Sequence, residues 1–465
     1  MGISKVLYGE LGLQHLAGSR SSRDLYILIA SRFIRLLGFG AIAPILVLFL
    51  QEQLEFSEGR VGLFFSLTLF GDVGLSLLIS WIADGVGRRR VLAIGSAMMA
   101  LSGIAFALSR NYILLLLSAI FGVISPSGNE CGPFSSIEVT IISELVSPAN
   151  RVYVLVWYQI LGFVGLALGS ILSGVAISGL ERRHSTLQSY RAVFVFYSIV
   201  ALIKIVLSLS LSNLTEAKQH GYEIVAAVEG DDEIEEPSDL DGDDSECRPL
   251  LDRSTSTPRV DVKSFDKDEE EVDTPSRLPM LRLAFTCLLF SIDSFASSLI
   301  PASYVSYYFS SVYDMGLGMI TKVLAFSALG AVVTSMCAGA LSKRAGLVLA
   351  MTTFHIPAQF MTMAMAFAPG VQSVVALWIA RTCFSSLDSS VRGAFLSAMV
   401  PASSRTRFLG IVDVCRSLAA GPGPFVTGRM VKIDKLPFTF VISGSIKIAA
   451  DIGLLVGFSA VTFEH

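Results

Sequence analysis

Apolar residues run through this chain in long unbroken stretches, not in alternation with polar ones. Such runs stand at roughly 25–50, 61–83, 91–108, 112–145, 152–179, 192–213, 279–308, 317–342, 346–369, 373–400, 408–430 and 436–462. Most reach about 20 residues, enough for a helix to cross about 30 Å of hydrocarbon. The pattern predicts an all-α membrane protein with 12 transmembrane helices, and the lack of alternation excludes a β-barrel. Short connections make consecutive helices antiparallel neighbours.

Two interruptions change this picture. The fourth run contains Pro126, Gly128, Gly132 and Pro133, which should break or kink its helix. After the sixth run the character of the chain reverses. Between Leu214 and Leu278 there are 21 Asp/Glu against 7 Lys/Arg, a net of −14, while the rest of the chain carries +10. That segment has too little apolar surface to offset chain entropy and is expected to be a disordered linker. The expected organisation is a polar tail at 1–24, a six-helix half at 25–213, an acidic linker at 214–278 and a second six-helix half at 279–465.

Composition agrees with a bilayer environment. Hydrophobic residues make up 52% of the chain and charged residues 16%, against about 25% charged in soluble domains. Mean hydropathy is +0.64. The six cysteines form no C-x-x-C pair, so metal and redox chemistry are not expected. The first residues show no signal peptide. With the linker cytoplasmic, both termini are cytoplasmic as well. That side then holds 11 Lys/Arg in its tail and loops against eight on the other, a bias of the expected sign.

The halves repeat. Arg151 and Gly174 in the fifth run match Arg405 and Gly428 in the eleventh at one offset of 254 residues. Lys204 in the sixth run, within Ile203-Lys204-Ile205, has its counterpart at Lys447 in Ile446-Lys447-Ile448. Repeats flanking a midplane site are the architecture of secondary transporters.

The stretch Ser80-Trp81-Ile82-Ala83-Asp84-Gly85-Val86-Gly87-Arg88-Arg89-Arg90-Val91-Leu92 resembles the signature loop G-x-L-A-D-R-x-G-R-R-x-x-L of the major facilitator superfamily. It falls between the second and third runs, where that family has it. Ser80 and Gly85 depart from the pattern. The resemblance implies that Asp84, Gly87, Arg88 and Arg89 form a latch between halves that favours the outward-open state. Gly165, Gly169, Ser170 and Gly174 resemble the glycine-rich motif of antiporter branches, with Ser170 replacing its proline. Close helix approach alone also accounts for such small residues. The arginine usual in span four is absent, and Arg381 stands at a similar depth in span ten. The family fold further implies that spans one, four, seven and ten line the cavity.

Charge inside a bilayer is costly, so each buried charge is a candidate for function. The candidates are Arg35 in span one, Glu130 and Glu138 in span four, Asp293 in span seven, and Arg381, Asp388 and Arg392 in span ten. Arg35 is read as a substrate or counter-ion contact. Glu130 and Asp293 are read as proton carriers, or else as static partners of Arg35 or Arg381. Glu138 and Arg392 share the repeat offset and are expected to bridge the halves; Asp388 pairs with Arg392 or serves the cavity. Lys204 and Lys447 are expected to share a structural task, and His355 is read as structural or peripheral.

The chain has no P-loop, zinc-protease or nucleophile-elbow motif, so an enzyme or an ATP-driven pump is not expected. No cofactor, metal or nucleic-acid partner is expected. The function this implies is alternating-access transport of a small organic solute, coupled to protons, with membrane lipid as a further partner. The alternative is a non-transporting sensor of the same fold. Glu246, Leu250 and Leu251 match a dileucine sorting signal for an adaptor, in keeping with a plasma-membrane or vacuolar location.

Overall fold

The computed structural model describes residues 22–122, 124, 133–146, 148–216, 277–345, 347–399 and 405–458. All regular structure among them is helical. Helices α1 (Ser22–Ile42), α2 (Glu58–Val86), α3 (Arg88–Leu108), α4 (Tyr112–Phe121), α5 (Pro133–Leu145), α6 (Pro148–Leu180) and α7 (Thr186–Leu209) precede the acidic segment. Helices α8 (Arg277–Ser298), α9 (Ala302–Tyr313), α10 (Leu317–Ala345), α11 (Leu347–Met365), α12 (Val371–Ala398), α13 (Arg405–Ala420), α14 (Gly423–Lys432) and α15 (Leu436–Phe458) follow it. The described residues on the two sides of the acidic segment group into one compact unit. The sorting motif and Glu130 lie outside the described residues.

Eight helical segments among the described residues are long and apolar enough to cross a membrane, and Tyr112–Phe121 and Val371–Leu387 are shorter apolar helices. The chain is a multi-pass membrane protein. Several expected spans are broken where the sequence removes backbone donors. The first run turns after Ile42, ahead of Pro44, and resumes as Leu46–Leu48 and a π-helical Phe49–Gln53. The seventh run breaks between Ser298 and Ala302, at Pro301. The eleventh breaks at Gly421 and Pro422. Pro357 is carried inside α11.

The packing differs between the two ends of the molecule. Call the end where α7 finishes and α8 begins the near end. At the far end one apolar cluster draws on both helix sets: Ile45, Phe49, Phe64, Phe65 and Phe194 from the first, Tyr304, Val305, Phe309, Ile320 and Phe440 from the second. Phe65 and Tyr304 meet edge to face at 5.7 Å. Three polar contacts add to this closure. Ser303 Oγ donates to the Ala43 carbonyl (2.8 Å), Gln51 Nε2 to Tyr307 Oη (2.9 Å), and the Phe425 amide to Ser66 Oγ (2.9 Å). At the near end the apolar clusters are separate. One holds Leu25, Leu28, Leu92, Phe134, Ile141 and Tyr158; the other holds Phe290, Met351, Phe395, Val412 and Phe458. Among the described residues the two helix sets thus share a core at the far end and keep their own at the near end.

Candidate functional site

The first buried charge cluster is built by α1, α5, α6 and α7. Glu138 on α5 and Lys204 on α7 are fully buried. Glu138 Oε2 accepts from Arg35 Nη2 (2.7 Å) and Tyr158 Oη (2.5 Å). Its Oε1 accepts from Lys204 Nζ (3.0 Å) and Ser31 Oγ (3.4 Å). Two donors on each oxygen fill the acceptor capacity of a carboxylate. The cations are cushioned by aromatic faces: Lys204 Nζ lies 4.1 Å from the Phe134 ring centre, and Arg32 lies 4.1 Å from that of Tyr158. Arg32 also donates to Gln159. A buried ion held this way is compensated on all sides.

The second cluster is built by α8, α11, α12 and α15. Asp293 Oδ2 accepts from Arg392 Nη1 at 2.5 Å. Asp293 Oδ1 faces Lys447 Nζ at 3.7 Å and His355 Nε2 at 3.9 Å. Among the described residues that oxygen accepts no hydrogen bond. His355 Nδ1 lies 2.8 Å and 3.0 Å from the two carboxylate oxygens of Asp451. Arg392 stacks on Phe290 at 4.9 Å.

Each cluster therefore holds a carboxylate between one arginine and one lysine, with the roles exchanged between helices. In the first, the acid sits on α5 and the arginine on α1. In the second, the acid sits on α8 and the arginine on α12. This corrects the expected bridge between Glu138 and Arg392, because each is paired within its own helix set. Lys204 and Lys447 do share a task, as the second cation of their clusters. Arg381 does not reach Asp293 as an ion-pair partner. Its Nε donates to Thr362 Oγ1 (3.3 Å) and its guanidinium lies 5.0 Å from the Trp378 ring. The Asp388 side chain lies outside the described residues. Asp413 and Arg416 pair along α13 at 3.6 Å.

Sequence reasoning missed Asp451 and read His355 only as structural or peripheral; each is 1% exposed. The available signal was a carboxylate within the apolar run of α15, four residues after Lys447 on the same helical face.

The motif loop occupies the near end. Gly87 joins α2 to α3 with φ of 101°, a conformation costly for any residue with a Cβ. Arg88 Nη1 pairs with Glu144 Oε2 at 2.7 Å, and its amide donates to Glu216 Oε2 at 2.6 Å. Arg89 donates to Asn213 Oδ1 (3.0 Å) and to the Leu209 carbonyl (2.8 Å). These contacts tie together the near ends of α3, α5 and α7. The Asp84 side chain lies outside the described residues. Substituting Gly87→Ala is expected to cost about 1–3 kcal/mol, since the φ is unfavourable and the new Cβ would crowd the Glu216 carboxylate. The midpoint of thermal unfolding in detergent reads the loss.

A family model described as the Major Facilitator Superfamily matches residues 28–424. An uncharacterised membrane protein of Saccharomyces cerevisiae is 33% identical over 446 residues, which cover 95% of each chain. Among solved structures, a D-xylose-proton symporter superposes with a TM-score of 0.68 at 16% identity, over 94% of this chain and 98% of its own. A nucleoside transporter superposes with a TM-score of 0.65 at 13% identity, over 94% of this chain and all of its own (100%). At such identities the structural likeness speaks for the fold alone.

Proposed function

The chain belongs to the major facilitator superfamily, and on that premise we propose that it is a proton-coupled secondary active transporter of a small organic solute. It works by alternating access between two halves of six spans each, one on either side of the acidic linker. The observation that carries the reading is the contrast between the two buried carboxylates. Glu138 has every acceptor site filled. Asp293, 7% exposed, keeps one oxygen without a donor among the described residues. A filled carboxylate is a fixed counter-ion, while one with an open oxygen can bind and release a proton as its surroundings change.

Roles follow for the candidate residues. Arg35 is the counter-ion of Glu138. Asp293 is the coupling carboxylate and Arg392 its static partner. Arg381 is the substrate contact, because its described partners, Thr362 and Trp378, are neutral. The arrangement is closed at the far end and divided at the near end. With the linker cytoplasmic, this is the inward-facing state. The described contacts of Arg88 and Arg89 lie within the first half.

The test is uptake into proteoliposomes with and without an imposed pH gradient, over pentoses, nucleosides, organic anions and drug-like cations. The wild type is expected to accumulate at least one class when the gradient is imposed. Asp293→Asn is expected to lose that accumulation. Absence of flux for every class, from protein shown to be folded, would contradict the reading.

A further inference from the structure

We infer that His355 is a second proton-binding site, acting with Asp451 and Asp293 as one relay; this rests on the proton-coupled reading above. His355 lies on α11 and is held between two carboxylates from two other helices. Its geometry fixes the direction of the relay. Both oxygens of Asp451 lie within hydrogen-bond distance of Nδ1, so an ionised Asp451 holds the ring proton on Nδ1. Nε2 is then left with its lone pair, and it faces Asp293 Oδ1, the oxygen that accepts no hydrogen bond among the described residues. A proton added at Nε2 makes an imidazolium flanked by two carboxylates. No other bond is made or broken, and release reverses the step.

The charge balance supports a site that fills and empties. Among the described residues two carboxylates, Asp293 and Asp451, and two cations, Arg392 and Lys447, are in direct contact, so this set is neutral when the imidazole is neutral. One proton changes it by one unit. On α12, which packs against α11, the Asp388 side chain lies outside the described residues. Arg381 on α12 lies within electrostatic reach of Asp293. On α10, Lys322 is exposed, and the Lys343 and Arg344 side chains lie outside the described residues. His355 and Asp451 have almost no solvent contact, whereas Asp293 has some. Of the three relay members, Asp293 is the one nearest to solvent.

The test is ¹⁵N-histidine NMR on the full chain in lipid nanodiscs. The chain has five histidines, and the His355 signal is identified by its loss in His355→Gln. In the wild type the His355 signal is expected to titrate reversibly. In Asp451→Asn the Nδ1–H signal that marks the wild-type tautomer is expected to be lost, because the carboxylate that holds the proton there is gone. A His355 signal fixed in one protonation state over the whole pH range in which the protein stays folded would overturn the inference. Proteoliposome uptake supplies the second arm, with D-xylose and uridine as probes. For whichever probe the wild type accumulates, His355→Gln is expected to bring the inside-to-outside ratio to about one. An unchanged ratio in that variant overturns the relay and leaves the transporter reading intact. No uptake in the wild type removes the transporter reading itself.

Discussion

Glu138→Gln is expected to be the most destabilising single substitution in the first helix set. The glutamine keeps the shape and removes the charge that compensates both Arg35 and Lys204. Lys204 has no solvent to turn to and Arg35 almost none. Breaking a buried ion pair by removing one partner costs about 3–5 kcal/mol, and here one acid serves two cations. The expected result is a large fall in the unfolding midpoint and in the yield of monodisperse protein. Lys204→Met should cost less, because it leaves a one-to-one pair between Arg35 and Glu138. The double variant Glu138→Gln with Lys204→Met should recover part of the loss, a non-additivity that a double-mutant cycle measures. Additive losses would mean that Lys204 and Glu138 do not act on each other.

Gly428→Val is expected to prevent the far end from closing. On α14, a Cβ at Gly428 would stand 2.6 Å from the Glu58 carbonyl oxygen and 2.8 Å from Gly62 Cα. A Cβ at Gly62 on α2 would likewise stand 2.7 Å from the Pro424 carbonyl oxygen. The neighbours are backbone, so no rotamer change relieves the clash. Two glycines facing each other set the distance between α2 and α14, as small residues do between membrane helices. A valine there forces the helices apart and removes the far-end contacts at Ser66, Gln51 and Ser303. Transport should fall by an order of magnitude or more, at about 1.4 kcal/mol for each factor of ten in the closing equilibrium. The protein should remain folded, because the near-end clusters are untouched. Wild-type transport in Gly428→Val would show that far-end closure is not part of the cycle.

Much of this architecture was legible in the sequence. Pro44, Pro133, Pro301 and Pro422 stand where helices break or begin, and Gly87 stands where α2 turns into α3. The intramembrane charges were legible as a set, because apolar runs leave them nothing to hide behind. Their pairing was not. The repeat offset placed Glu138 opposite Arg392, but equal positions in two repeats are neighbours only where the repeats meet. Pairing depends on which helices pack together. Here α5 meets α1 and α7, and α8 meets α12 and α15, which no linear spacing reveals. His355 was passed over because one histidine on an apolar helix is usually satisfied core. Its meaning came only with Asp451 and Asp293 beside it.

Paired spin-label distances at the two ends test the central claim of two halves rocking about a buried site. One pair is Arg60→Cys with Ile433→Cys at the far end, and the other is Arg90→Cys with Leu349→Cys at the near end; all four positions are exposed. In lipid nanodiscs, Gly428→Val is expected to lengthen the far-end distance and shorten the near-end distance together. Imposing conditions that drive transport in the wild type should move the same two distances in opposite directions. A far end that opens while the near end keeps its distance would contradict alternating access in this protein.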